Sequence, residues 1–200
     1  MNAAKVNPHE TQSTMRLTEV AQRWLAEIIQ EGDVVVDATL GNGFDALFLA
    51  QKIGEAGVLF AFDVQTQAIE TSQVLLADEP CQQYLLLTGH ETMKANIPQH
   101  FHGHIKVIML NLGWLPNSDK SVITQTKTTI QALAQSLELL TTKGRLSVMV
   151  YPGHAGGDDE AKQVMHWLEQ TCKNSNTLVY KAIILPNRPA APILLQVIKL

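Results

Sequence analysis

Val34-Val35-Val36-Asp37-Ala38-Thr39-Leu40-Gly41-Asn42-Gly43-Phe44-Asp45-Ala46 reads as a strand, a turn and the start of a helix. Three β-branched apolar residues without polar alternation predict a strand buried on both faces. Gly41 and Gly43 permit a sharp turn and a close approach of a ligand to the backbone. The helix predicted from about Phe44 turns free N–H groups toward that ligand. Gly41-x-Gly43-x-x-Ala46 also satisfies a relaxed dinucleotide fingerprint. Asp37 shifts the balance, because a carboxylate at the strand tip suits a cationic or amine-bearing ligand and repels a pyrophosphate.

Toward the N-terminus, residues 1–11 are polar and expected to be mobile, and a helix is predicted over 12–31. Leu17, Val20, Ala21, Trp24, Leu25, Ile28 and Ile29 form its apolar face, with Gly32 as its stop. Trp24 is expected in the core. Toward the C-terminus, Val58–Asp63 is a second buried strand ending in an acid. Asp63 stands where a carboxylate can accept hydrogen bonds from ribose hydroxyls, and it can equally cap the following helix. That helix carries Ala68, Ile69, Val74, Leu75 and Ala77 and ends near Pro80.

Tyr84–Thr88 predicts a third strand, followed by Gly89-His90-Glu91, residues suited either to contact a base or to cap a helix. His100, His102 and His104 share one side if their segment is extended. No carboxylate or Cys lies nearby, and the segment precedes a strand rather than following one, so no metal is expected there. Ile105–Leu110 is the fourth strand. It delivers Asn111-Leu112-Gly113-Trp114-Leu115-Pro116 to the edge where ligands bind in open α/β sheets. Trp114 offers a flat surface for a nucleobase, or simple packing.

A long helix is predicted to open at Ser118–Ser121, with Ile123, Ile130, Leu133, Ala134, Leu137 and Leu140 on its apolar face. Lys120 and Lys127 near its start are candidate phosphate contacts. Lys143-Gly144 is a turn into a fifth strand, Arg145–Tyr151. His154 then stands in a Gly-rich loop before Asp158-Asp159-Glu160, acids that suit a helix N-terminus. Ala161, Val164, Met165, Leu168 and Cys172 are its core face. The last strands, Thr177–Leu185 and Pro192–Lys199, are joined by too short a loop for a parallel crossover and must be antiparallel.

The 200 residues suit one α/β domain, 1–200. No apolar run reaches membrane-span length, so no membrane association is expected. Cys81 and Cys172 lack metal spacing and read as inert thiols, consistent with a cytoplasmic setting. A net charge of −4 gives no general attraction for nucleic acid, so an RNA partner needs a local basic patch.

Five strand–helix units with a terminal antiparallel hairpin resemble the class I methyltransferases. That resemblance implies a Rossmann-like sheet of order 3-2-1-4-5-7-6, the last strand reversed, with helices on both faces. Asp37-Ala-Thr-Leu-Gly-Asn-Gly43, Ala61-Phe-Asp63, His90-Glu91, Asn111-Leu-Gly-Trp-Leu-Pro116 and Gly153-His154 together resemble a small bacterial family labelled rRNA methylases. One branch of that family methylates 5-aminomethyl-2-thiouridine at wobble position 34 of tRNA.

The resemblance implies S-adenosylmethionine as cofactor, held by Asp37, Thr39, Gly41, Asn42, Gly43, Asp45, Asp63, Val64, His90, Glu91 and Asn111. It implies Gly113, Trp114, Tyr151, Asn187 and Arg188 facing the base, and Asn111 and His154 as catalytic residues. His154 serves there as a base or as a binding group. The implied partner is a tRNA anticodon stem-loop; 200 residues offer little surface to grip it, so a homodimer pooling two basic patches is an expectation of size rather than of the resemblance. Trp114 replaces the family's usual Tyr, and Arg188-Pro-Ala-Ala-Pro192 replaces its Asp-Pro-Pro. Two other readings remain: methylation of an rRNA base or another amino group, and a non-catalytic nucleotide-binding module.

Overall fold

In the computed structural model, residues 16–113, 123–153, 156–185 and 191–200 are described. In chain order the elements are α1 (Leu17–Ala26), β1 (Val34–Asp37), α2 (Phe44–Ile53), β2 (Val58–Asp63), α3 (Thr66–Leu75), β3 (Gln82–Leu87) and the short α4 (Met93–Asn96). They continue as β4 (Ile105–Asn111), α5 (Thr126–Leu139), β5 (Leu140–Val150), α6 (Gly157–Lys173), β6 (Leu178–Ile184) and β7 (Ile193–Lys199). The strands form one sheet of order β3-β2-β1-β4-β5-β7-β6. β1 to β5 pair in parallel, and β7 runs antiparallel to both β5 and β6. The expected order and the reversed last strand are both present.

The apolar runs of β1, β2 and β4 are buried on both faces because helices cover each side. Val35, Leu59, Ala61, Val107 and Met109 meet Leu25, the α2 residues Ala46, Leu49, Ala50 and Ile53, and Ile69 on one face. Val36, Phe60, Phe62, Ile108 and Leu110 meet Met93, Leu133, Val164 and Leu168 on the other. The period-2 alternation thus sorts each strand's side chains between two helical layers.

Several boundaries differ from expectation. α1 ends at Ala26, not at Gly32. Ile28 and Ile29 both donate to the Leu25 carbonyl, while the Arg145 guanidinium takes the Trp24 carbonyl and pairs with Glu27 at 2.8 Å. An outside cation therefore satisfies the helix end that continued winding would have satisfied. Arg145 also lies 4.8 Å from the centroid of the half-buried Trp24 ring. On α3, Val74 is 80% exposed, and Ala68, Ile69, Ser72 and Leu76 form the buried face.

α5 begins at Thr126 with Gln125 as its cap; Ser118–Ser121 and Lys120 lie outside the described residues. Its buried face is Thr129, Ala132, Leu133, Ser136 and Leu139, rotated from the expected stripe. Hydroxyls can be buried there because each is bonded, Thr129 to Glu160 and Ser136 to the Ala132 carbonyl, both at 2.8 Å. Lys143-Gly144 is an irregularity inside β5, where the pairing with β4 jumps from Leu140 to Arg145 and Lys143 takes φ +63°.

Candidate active site

At the carboxyl ends of β1, β2 and β4 the turns diverge around a cavity of about 1160 Å³. Gly41 and Asn42 of the Gly41–Gly43 turn line it. Gly41 and Gly43 have φ of +52° and +80°, which glycine adopts without steric cost. A Cβ at Gly43 would stand 2.6 Å from the Ser72 hydroxyl oxygen. The Leu40 amide donates to the Phe62 carbonyl at 2.9 Å, tying the turn to β2.

Asp63 fixes the turn from the neighbouring strand. One carboxylate oxygen accepts the Gly41 amide and the other the Gln65 amide, each at 2.9 Å. The capping and ligand roles are compatible, since each oxygen keeps a second lone pair directed elsewhere. Val64, 58% exposed, and Gln65 continue the rim. His90 is buried in a 3₁₀ turn at the wall, with Glu91 beside it. Burial depresses the His90 imidazole, against smaller opposing effects of Glu91, the Ala38 backbone and Asp63, so the ring is neutral near pH 7. Its Nε2 has no hydrogen-bond partner among the described residues.

Asp37 is fully buried, and it lies behind the cavity wall rather than in it. One oxygen accepts the Thr39 amide at 3.1 Å, and the other has no partner among the described residues. Burial first, then the Asp45 charge, push its pKa up to about 8, with Asp63 adding to the rise and the Thr39 and Ala46 amides opposing it. Gly43 also lies behind the wall, whereas Thr39, Gly41, Asn42 and Asp45 are in it.

Asp45, in the first turn of α2, links the two sides of the cavity. It accepts a hydrogen bond from Gln22 of α1 at 2.7 Å and another from the Asn111 side-chain amide. The Asn111 backbone amide donates to the Thr39 hydroxyl at 2.6 Å. Asn111 is thereby held through both backbone and side chain, and its carboxamide oxygen accepts nothing from the described residues. Tyr151 stands on the same wall, where burial and then the Asp45 charge push its phenol upward, so the hydroxyl stays protonated.

Gly113 completes the wall at the end of β4. Trp114, His154, Asn187 and Arg188 lie outside the described residues. The sequence reading missed Arg16, Thr18, Glu19 and Gln22 of the α1 region, Phe44, and the stretch Ile123, Thr124, Gln125 and Thr128. The α1 contribution had a signal. Leu17, Ala21 and Leu25 are the buried stripe, which leaves Thr18, Glu19 and Gln22 as a coherent polar face. Lys127 is exposed and is not part of the wall. His102 spends its Nε2 on the Ile97 carbonyl at 2.9 Å, and the described residues contain no group of three metal-ligating side chains.

A reversed last strand beside β5, a glycine turn after β1 and an acid at the tip of β2 define the class I methyltransferase architecture. The model of the Putative rRNA methylase family matches residues 59–199. The chain belongs to that family of methyltransferases. It is 34% identical over 195 residues to the chloroplastic tRNA (mnm(5)s(2)U34)-methyltransferase of Arabidopsis thaliana, covering 92% of this chain and 69% of that one. The crystal structure of a putative rRNA-methylase from Clostridium thermocellum superposes with a TM-score of 0.87 at 34% identity, over 93% of this chain and 98% of that chain. SMU.1697c from Streptococcus mutans, described as a putative methyltransferase and solved in complex with SAH, gives 0.82 at 30% identity, over 93% and 99% of the two chains.

Proposed function

We propose that this methyltransferase uses S-adenosylmethionine to methylate the primary amine of 5-aminomethyl-2-thiouridine at wobble position 34 of tRNA. The observation that carries the reading is the pinned Asn111 at the tip of β4, with an acceptor oxygen left over beside an acidic cavity. The 34% identity to the Arabidopsis tRNA enzyme supports a tRNA substrate.

The residues present fit the cofactor. Buried, unpartnered polar atoms on Asp37 and His90 adjoin a cavity walled by Glu19, Asp45, Asp63 and Glu91, a negative field suited to a sulfonium and an amino group. Asp63 would take the ribose hydroxyls on its spare lone pairs, and the glycine turn would admit the methionyl part close to the backbone. When bound, S-adenosylmethionine supplies an electrophilic methyl carbon.

The remaining work falls to the chain. The acceptor amine attacks only when neutral. Asn111, its Nδ2 committed to Asp45, offers its oxygen to an amine hydrogen and so aims the nitrogen lone pair. Tyr151, protonated, can donate to a carbonyl or thiocarbonyl edge of the base. The neutral imidazole of His90 lines the cavity without adding a positive charge to it.

Nucleosides from a strain lacking the gene test this reading by mass spectrometry. The expected change is accumulation of aminomethyl-thiouridine and loss of its methylated form in tRNA. Unchanged tRNA nucleosides with a methyl group missing from rRNA would favour the second reading, which the likeness to the rRNA-methylase family and to the Clostridium thermocellum structure supports.

A further inference from the structure

We infer that Glu160 is a positioning residue that holds the Gly113 side of the cavity in register with Asn111, acting through Thr124. The inference rests on the methyl-transfer reading above. Asp158, Asp159 and Glu160 occupy the first turn of α6 as a run of helix-start acids, but Glu160 is turned inward and only 4% exposed. Its two oxygens are divided between two threonines. One accepts the Thr124 hydroxyl and the other the Thr129 hydroxyl, both at 2.8 Å.

A carboxylate can only accept, so it fixes the direction of both hydroxyl hydrogens. With its hydrogen committed to Glu160, the Thr124 oxygen presents a lone pair to the Gly113 amide, which donates to it at 2.8 Å. The Thr124 amide returns a bond to the Gly113 carbonyl at 2.9 Å. Gly113 is thus gripped by both its backbone groups, at a φ of +123°. The preceding Leu112 amide bonds to the Met149 carbonyl at 2.8 Å, and Asn111 bonds to Thr39 and Asp45.

One continuous hydrogen-bonded path therefore runs from α6 through Thr124 to the segment that carries Asn111. Gly113, Thr124, Gln125 and Thr128 line the same wall of the cavity. Burying a carboxylate is costly, and apolar side chains would join α5 to α6 at lower cost. What an apolar contact cannot do is orient the Thr124 hydroxyl toward Gly113. The bond to Thr129, which is fully buried and outside the cavity wall, serves as an internal control, since it ties the same carboxylate to α5 alone.

Glu160→Met keeps the length and removes both acceptor oxygens, so the Thr124 hydroxyl loses its fixed direction. Amide hydrogen exchange at Gly113 is expected to accelerate about tenfold or more, with the β1 and β4 amides unchanged. On an aminomethyl-tRNA that the wild type methylates, kcat is expected to fall about tenfold or more while the cofactor Kd stays within about twofold. Thr124→Val should reproduce that loss without adding to it in the double variant, and Thr124→Ser should restore it. Thr129→Val should lower Tm without lowering kcat. Unchanged Gly113 exchange in Glu160→Met, an unchanged kcat, or a kcat loss matched by Thr129→Val would overturn the inference. An inactive wild type on every amine-bearing RNA would instead bring down the methyl-transfer reading itself.

Discussion

Asp37 carries a proton where an ordinary aspartate would not. With its pKa pushed up to about 8, the native state binds one more proton than the unfolded chain from about pH 4 to pH 8. Stability therefore falls as pH rises across that window and levels off above it. Asp37→Asn removes the penalty. Its Tm is expected to exceed the wild type by about 4 °C or more at pH 8, at about 2–4 °C per kcal/mol for a chain of this size, with the difference vanishing near pH 4. Thermal melts at the two pH values check the sign. A cation bound in the cavity in front of Asp37 would favour its ionised form, so cofactor affinity should rise with pH toward 8 in the wild type and stay flat in Asp37→Asn, by calorimetry.

Asp63 makes a different prediction at the same scale. Its oxygens take the Gly41 and Gln65 amides, and Asp63→Asn would aim an amide group at one of those donors. Cofactor Kd should rise about tenfold to a hundredfold, the worth of one charged hydrogen bond, with circular dichroism unchanged. Asn111→Ala should divide the effects the other way. Methyl transfer falls about a hundredfold or more, as for a misplaced nucleophile, while cofactor affinity changes little. Single-turnover rates and calorimetry together separate the two.

Among the elements, the glycine turn is the least tolerant. Gly43→Ala places a methyl group against the Ser72 and Leu75 side chains at a φ that alanine resists. It should cost about 1–3 kcal/mol of stability, read by denaturant titration, and weaken cofactor binding. This turn was legible in the sequence because its signals are local: a β-branched run, two glycines, then helix formers. β2 with its terminal acid and the β6–β7 hairpin were legible for the same reason. What was hidden depends on docking rather than pattern. The buried face of α5 is set by Thr129 and Ser136, polar residues made acceptable by partners distant in sequence or one turn back. The end of α1 is set by Arg145, far along the chain. Glu160 read only as a helix-start acid because nothing in its own segment announces two threonines, one on α5 and one in the loop before it.

Across the whole molecule, the sheet order explains where the chemistry sits. The chain leaves β1 toward β2 on one side and later adds β4 on the other, so the turns after β1 and β4 part and leave the cavity between them. The wall is acidic and the net charge is −4, so an RNA substrate would have to be held by local basic groups. Arg16 at the cavity and the exposed Lys127 at the start of α5 are such groups. We propose that two copies pool these charges on one tRNA. Sedimentation should then find a dimer bound to the RNA, with affinity falling steeply as salt rises. A monomer on the RNA with salt-independent affinity would count against it.

The most direct measurement is incubation of the purified chain with tRNA bearing 5-aminomethyl-2-thiouridine and S-adenosylmethionine labelled in its methyl group. The expected result is one labelled methyl per tRNA, on the side-chain nitrogen of the wobble uridine, and almost none with Asn111→Ala. Label that stays with the cofactor, or appears on another nucleoside, would contradict the assignment.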